Sequence, residues 1–235
     1  MAYKLVCFDV DGTIIQELKE KVLEHAGHVE PHEFEDSIWV TLHRYFKTTK
    51  EAREQYTEFH DGMISYKHWV EKNIALWKAQ GADQDKVELV FEEFTEPMPG
   101  TWETIHKLKA AGIKLAVVSG GLKQLVEHHF PKEFSPVFAN DILYDKHGKI
   151  VGSEWTPYDF GGKLRGVREA CRLHDCTMAD TVFVGDNIND FQVMEEAGLG
   201  IAFNSKSGAL NKAATVVIKK RDLREILPHI LGERS

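Results

Sequence analysis

The residues best suited to chemistry sit where short apolar runs end. In "KLVCFDVDGT" (residues 4–13), Leu5-Val6-Cys7-Phe8 leads into Asp9 and Asp11, with Gly12 beyond them. If the chain stays extended past Phe8, side chains repeat every two residues, so the two carboxylates share a face. Like charges so placed repel, and burial makes each harder to ionise. A second run, "TVFVGDNIND", ends in Asp186, Asn189 and Asp190, and a third, "KLAVVSGG", ends in Ser119, Gly120 and Gly121. Carboxylates gathered at one sheet edge suit a hard, oxygen-preferring cation, and Mg²⁺ fits a few carboxylates with water and phosphate oxygens. Such a cation relieves the repulsion and brings a phosphate with it. Ser119 and the glycines after it offer a hydroxyl and open backbone N–H groups to that phosphate. Lys163, after "DFGG" and at a helix start, completes the charge neutralisation. Taken singly, each feature also admits a plainer role. Asp-Gly suits a turn, Ser119 suits a helix cap, and a lone lysine at a helix start is usually solvated.

The elements that must position these groups follow from periodicity. Residues 14 to about 96 carry helical patterning and almost no strand signal. "SYKHWVEKNIALW" sets Tyr66, Trp69, Val70, Asn73, Ile74 and Trp77 along one side at helical spacing, and "DQDKVELVFEEF" does the same with Val87, Val90, Phe91 and Phe94. Turn signals at Glu30-Pro31, Asp61-Gly62 and Gly81 divide the region into four or five helices. "EPMPG" (residues 96–100) breaks the pattern, and helices then alternate with short apolar strands. These strands are "KLAVVSGG", "PVFAN", "TVFVGD", "LGIAF" and "TVVIK"; "ILYDKHGKIVG" reads as a hairpin turning at His147-Gly148. "KKRDLREIL" reads as the start of a terminal helix. Alternation of this kind predicts an α/β fold, a parallel sheet covered on both faces. The first strand must join that sheet for shelter, so the helical block is an insertion. The expected division is a core of residues 1–14 and 97–235 and a helical cap of residues 15–96. In open parallel sheets ligands bind at the carboxyl ends of the strands, which is where the acids, Ser119 and the glycines fall.

"DVDGT", "VVSGG", Lys163 and "GDNIND" resemble, in order and spacing, the four motifs of the haloacid dehalogenase superfamily. "VVSGG", "FAND", "GDNIND" and "KKRDLREIL" extend the resemblance to the phosphoserine-phosphatase-like branch across nearly all of residues 97–230. The resemblance implies a Rossmann-like core with an inserted all-helical cap of the C1 type. It also implies Mg²⁺-dependent hydrolysis of a small phosphomonoester through an aspartyl-phosphate. Asp9 would be the nucleophile and Asp11 the general acid and base. Mg²⁺ would be held by Asp9, the backbone carbonyl of Asp11, and Asp186, with Asp190 supporting it from outside the ligand shell. Ser119, Gly120 and Lys163 would bind phosphate oxygens, and Asn189 would contact the phosphate or substrate. The family's serine-recognising glutamate and arginine would fall at Leu18 and Asn73, which match neither; Glu17 and Glu20 lie beside the first position, and Arg44 or Arg53 are other candidates for the second. Phosphoserine is the leading substrate, with another small phosphorylated metabolite close behind. A phosphotransferase using the same intermediate is the alternative enzyme, and a non-catalytic binding protein the alternative of another class.

Composition agrees with a globular domain of 235 residues, 43% hydrophobic and 28% charged. With Lys plus Arg at 29 and Asp plus Glu at 37, net charge −8, and no basic stripe, nucleic acid is a poor partner. No apolar run approaches the roughly 20 residues of a membrane helix, and the N-terminal residues carry no signal-peptide pattern. Three cysteines, Cys7, Cys171 and Cys176, are too few for a disulfide framework, so a cytoplasmic location is expected; the expected assembly is a monomer or homodimer. His25, His28 and His32 are read as solvated surface and "CRLHDC" as the end of a helix, neither as zinc ligands. Trp39, Trp69 and Trp77 are read as cap core.

Overall fold

The computed structural model describes residues 3–18, 21 and 37–232; Glu20, His25, His28 and His32 lie outside them. Strand β1 (Leu5–Phe8) is apolar and buried throughout. It runs parallel to β4 (Lys114–Leu122) on one side and to β7 (Thr181–Gly185) on the other. Phe8 is level with both Val117 and Val184, so all three strands deliver their carboxyl ends to one edge. With β5 (Val137–Tyr144), β6 (Ile150–Glu154), β8 (Leu199–Phe203) and β9 (Val216–Ile218) they form a seven-stranded sheet, ordered β6-β5-β4-β1-β7-β8-β9. Only β6 is antiparallel to its neighbour.

The period of two divides the buried side chains between the faces. Leu5, Cys7, Ala116, Val118, Phe183 and Ala202 pack against α7 (Lys163–Leu173), α8 (Phe191–Glu196) and α9 (Gly208–Ala213). Val6, Phe8, Val117, Val184 and Phe203 point the other way, toward α5 (Thr101–Ala110), α6 (Lys123–His129) and α10 (Leu227–Leu231). Neither face is left to solvent, which is why these strands read as unbroken apolar runs.

Among the described residues four helices of known extent precede the first crossover: α1 (Ile38–Tyr45), α2 (Thr49–His60), α3 (Tyr66–Ala79) and α4 (Gln84–Phe94). Ser65 and Asp83 cap α3 and α4 by accepting from the N–H groups of His68 and Lys86. The apolar cluster of the second sheet face continues through Ile14 and Ile15 into Ile38, Trp39, Val70, Trp77 and Phe91. The helical block therefore shares a core with the sheet.

Two expectations need correction. The chain enters and leaves the helical block through a two-stranded antiparallel ribbon, β2 (Ile15–Glu17) with β3 (Thr95–Pro97), where no strand signal was expected. Strands of three residues are too short for a period to show. "PVFAN" and the first arm of the hairpin are one strand, β5, because the polar Asn140-Asp141 pair that reads as a break lies inside it. Asn140 is fully buried and its amide is satisfied by Gly120 O (2.8 Å) and Thr156 N (2.9 Å). The hairpin turn falls at the expected place, with Gly148 at φ 73°. "KKRDLREIL" contains a 3₁₀ turn, Leu223–Ile226, before α10 begins.

Asn73 belongs to the interior of the helical block. Its Oδ1 accepts from His43 Nε2 (2.6 Å), its Nδ2 donates to Trp69 O (2.6 Å), and Trp77 Nε1 donates to His43 Nδ1 (2.9 Å). Burial lowers the His43 pKa from 6.5 to about 4, so the folded protein keeps the ring neutral where the unfolded chain protonates. Stability is fully present above the unfolded value near pH 6.5 and falls as pH drops toward 4, by up to about 3 kcal/mol. Urea denaturation of wild type and His43→Gln between neutral and acidic pH checks this; the variant should show a flatter profile over the same interval.

Candidate active site

The first strand's tip is held by its neighbour: Asp9 N donates to Val184 O (2.9 Å). The chain then turns sharply, with the N–H groups of Thr13, Ile14 and Ile15 all directed at Val10 O. Gly12 makes the turn at φ 74°, and a Cβ there would stand 2.4 Å from Asp186 Oδ2, so both conformation and space require glycine. The turn leaves Asp9 with Oδ1 on its neighbour's N–H (Val10, 2.8 Å) and Oδ2 on Lys163 Nζ (2.6 Å).

Lys163 begins α7 and is 2% exposed. Its ammonium also meets Asp190 Oδ1 at 2.5 Å, while Asp190 Oδ2 accepts from Asn187 N (3.2 Å). Burial works against the lysine charge, but Asp190, Asp9 and Asp159 together outweigh it and hold the pKa above the usual lysine range. The ammonium is thus a fixed charge between two strand tips.

Oxygens of Asp9, Asp186 and Asp190 all lie within 4.8 Å of one another. Asp186 Oδ1 accepts from Thr13 Oγ1 (3.3 Å). Burial first, then the charges of Asp9 and Asp190, push the Asp186 carboxyl well above the usual range. One ammonium does not balance this group, and its donors are all oxygen, so the residues fit a hard divalent cation. Asp11 points elsewhere: its Oδ1 accepts from Ile38 N (3.2 Å), the first N–H of α1. Burial, Asp9 and Glu17 push its carboxyl well up, which favours a protonated acid. Ser119 is 2% exposed in the second half of β4, and its Oγ accepts from Gly121 N (3.0 Å).

The helical block closes over this edge. Besides Ile38 on Asp11, Trp39 Nε1 donates to Gly120 O (2.9 Å), and Asn140 Nδ2 donates to Tyr66 OH (2.8 Å). At the other end Gln84 N donates to Gly148 O (2.9 Å) in the β5–β6 hairpin. Leu18, half-buried, donates its N–H to Phe94 O (2.8 Å), and Glu17 accepts from Thr41 Oγ1 of α1.

A sequence profile of the haloacid dehalogenase-like hydrolases matches residues 3–198. The chain belongs to the haloacid dehalogenase-like hydrolases. Among relatives of this family, the phosphoserine phosphatase of Methanocaldococcus jannaschii is 33% identical over 230 residues, covering 97% of each chain. That of Saccharomyces cerevisiae is 30% identical, over 98% of this chain and 68% of its own. A solved phospho-aspartyl intermediate analogue of a phosphoserine phosphatase superposes with TM-score 0.66 at 28% identity, covering 98% of this chain and all of that one. A substrate-bound phosphoserine phosphatase complex gives 0.68 at 29%, covering 98% and 99%. The fold and the phosphoserine-phosphatase-like character of the chain are those that its motifs imply.

Asp9, Asp186, Asp190 and Lys163 are thus in one cluster, with Asp11, Ser119 and Gly120 on the adjoining strand tips. Asn189 sits beside them but donates to Asp159 Oδ1 (3.0 Å). Asp159, Asn140 and Trp39 are parts of this edge that motif reasoning passed over. "FAND" marked Asn140 as family-like without a role, and Asp159 lies in an irregular loop where no period or spacing singles it out.

Proposed function

We propose that the chain is a Mg²⁺-dependent phosphomonoesterase that works through an aspartyl-phosphate on Asp9, with residues 15–96 acting as a cap over the core of 1–14 and 97–235. The observation that carries this is the Lys163 ammonium bridging Asp9 (2.6 Å) and Asp190 (2.5 Å) from separate strand tips, beside Asp186 and Ser119. An Asp9 oxygen attacks phosphorus in line and the ester P–O bond breaks. Asp11 gives its proton to the departing alkoxide, then takes one from the water that cleaves the acyl phosphate and frees inorganic phosphate. Ser119 Oγ, Gly120 N–H, Asn189 and Lys163 hold the phosphoryl oxygens through both displacements. Asp9, the Asp11 carbonyl and Asp186 would hold Mg²⁺, which would supply charge neutralisation for the phosphoryl group; Asp190, engaged by Lys163 and Asn187, would orient that set from outside it. The cap excludes water from the phosphoryl group and limits the substrate to a small ester.

Phosphate release from a panel of small phosphomonoesters tests the reading. At least one ester should be hydrolysed with Mg²⁺, the activity should vanish with a chelator, and added Mg²⁺ should restore it. No release from any member, p-nitrophenyl phosphate included, would contradict it.

A further inference from the structure

The stretch "CRLHDC" ends α7 and takes no part in the phosphoryl chemistry. Asp175 adopts φ 49°, the left-handed turn that closes many helices, and Cys176 N donates back to Cys171 O (3.0 Å). This is the six-to-one bond of a Schellman ending, which brings the side chains of its first and last residues together. Such a pair is ordinarily apolar. Here both members are free cysteines.

Thr181, the first residue of β7, fixes how the sulfurs face. Its hydroxyl gives its one proton to Thr177 O (2.9 Å), so its lone pairs accept from the thiols. Cys171 Sγ lies 3.2 Å and Cys176 Sγ 3.8 Å from that oxygen, and the two thiols are within hydrogen-bonding reach of each other. The main chains already touch and both sulfurs point into one small space, the conditions that a disulfide sets. The pair lies where α7 ends and β7 begins, at the sheet edge opposite the Asp9 cluster.

The two thiols differ in access. Cys171 is 4% exposed, and burial pushes its thiol up to about 11. Cys176 is half-buried between the exposed Asp175 and Thr177, so an oxidant meets it first. Cys7, the third cysteine, is fully buried in β1 and closed to solvent.

We propose that Cys171 and Cys176 form a reversible oxidation site, closing to a disulfide when a peroxide reaches Cys176. The Cys176 sulfur attacks one peroxide oxygen and the O–O bond breaks. Hydroxide leaves with the thiol proton as water, and a sulfenic acid forms. The Cys171 sulfur then attacks the Cys176 sulfur. The S–S bond forms, the S–O bond breaks, and the departing hydroxide takes the Cys171 proton as a second water. Two thiols thus lose two protons and two electrons to the peroxide. Held beside a second thiol, Cys176 stops at a bond that thiols reverse instead of going on to sulfinic acid.

Treatment of the reduced full-length protein with hydrogen peroxide, followed by alkylation, digestion and mass spectrometry, tests this. The expected product is a link between Cys171 and Cys176 that has lost two hydrogens and that dithiothreitol opens, with Cys7 still alkylated after denaturation. In Cys171→Ala, Cys176 should accumulate sulfinic acid about tenfold or more above wild type. Three wild-type outcomes would overturn the proposal: sulfinic acid on Cys176 without the link, a link from Cys176 to Cys7 or to a second chain, or both thiols still free at a peroxide concentration that oxidises exposed methionine. The wild-type map decides the matter even if the variant does not fold.

Discussion

Replacing Asp9 with asparagine is expected to lower kcat by a factor on the order of 10⁴–10⁶ while leaving the protein folded. An amide of the same shape still accepts from Val10 N and still faces Lys163, which keeps Asp190 as its anionic partner at 2.5 Å. What is lost is the carboxylate oxygen proposed to attack phosphorus. Folding should survive because the substitution removes one of the charges that disfavour ionised Asp186 and Asp11. Turnover of p-nitrophenyl phosphate with Mg²⁺, read beside a thermal melt, checks both halves. Residual activity within tenfold of wild type would mean that another group attacks phosphorus.

Lys163→Met should be damaging twice over. The ammonium is the cation shared by Asp9 and Asp190, both of which are buried. Without it two carboxylates face each other in a space that excludes water, and breaking a buried ion pair on one side costs about 3–5 kcal/mol. Methionine fills most of the volume, so the loss is of charge rather than packing. In catalysis the same substitution removes the donor proposed for the phosphoryl oxygens, a loss on the order of 10²–10³ in kcat. Chemical denaturation without added metal measures the first effect, and kcat at saturating Mg²⁺ the second. A stable, inactive variant would leave the lysine with a catalytic role only; an active, unstable one would leave it structural.

The parallel core was legible because its strands are sheltered on both faces and read as apolar runs, and because helices with strong faces separate them. The termini of β1, β4 and β7 could be aligned from sequence for the same reason: each run ends abruptly in polar residues. The entry ribbon was not legible, since Ile15-Gln16-Glu17 and Thr95-Glu96-Pro97 are set by pairing across about 80 residues rather than by local pattern. Nor was the continuity of β5 through Asn140, where tertiary hydrogen bonds override the turn preference of Asn-Asp. At the site, residues carried by motifs could be named individually. Asp159 could not, because its place at this edge comes from burial against Gly120 and Asn189, contacts that only the folded chain brings together.

Asp9 is the residue proposed to become phosphorylated. Rapid acid quenching during turnover of a radiolabelled substrate, followed by peptide mapping, measures this directly. Label should appear on the peptide containing Asp9, be released by hydroxylamine as expected for an acyl phosphate, and be absent from Asp9→Asn. Label on any other residue, or full turnover with no labelled enzyme at any quench time, would contradict it.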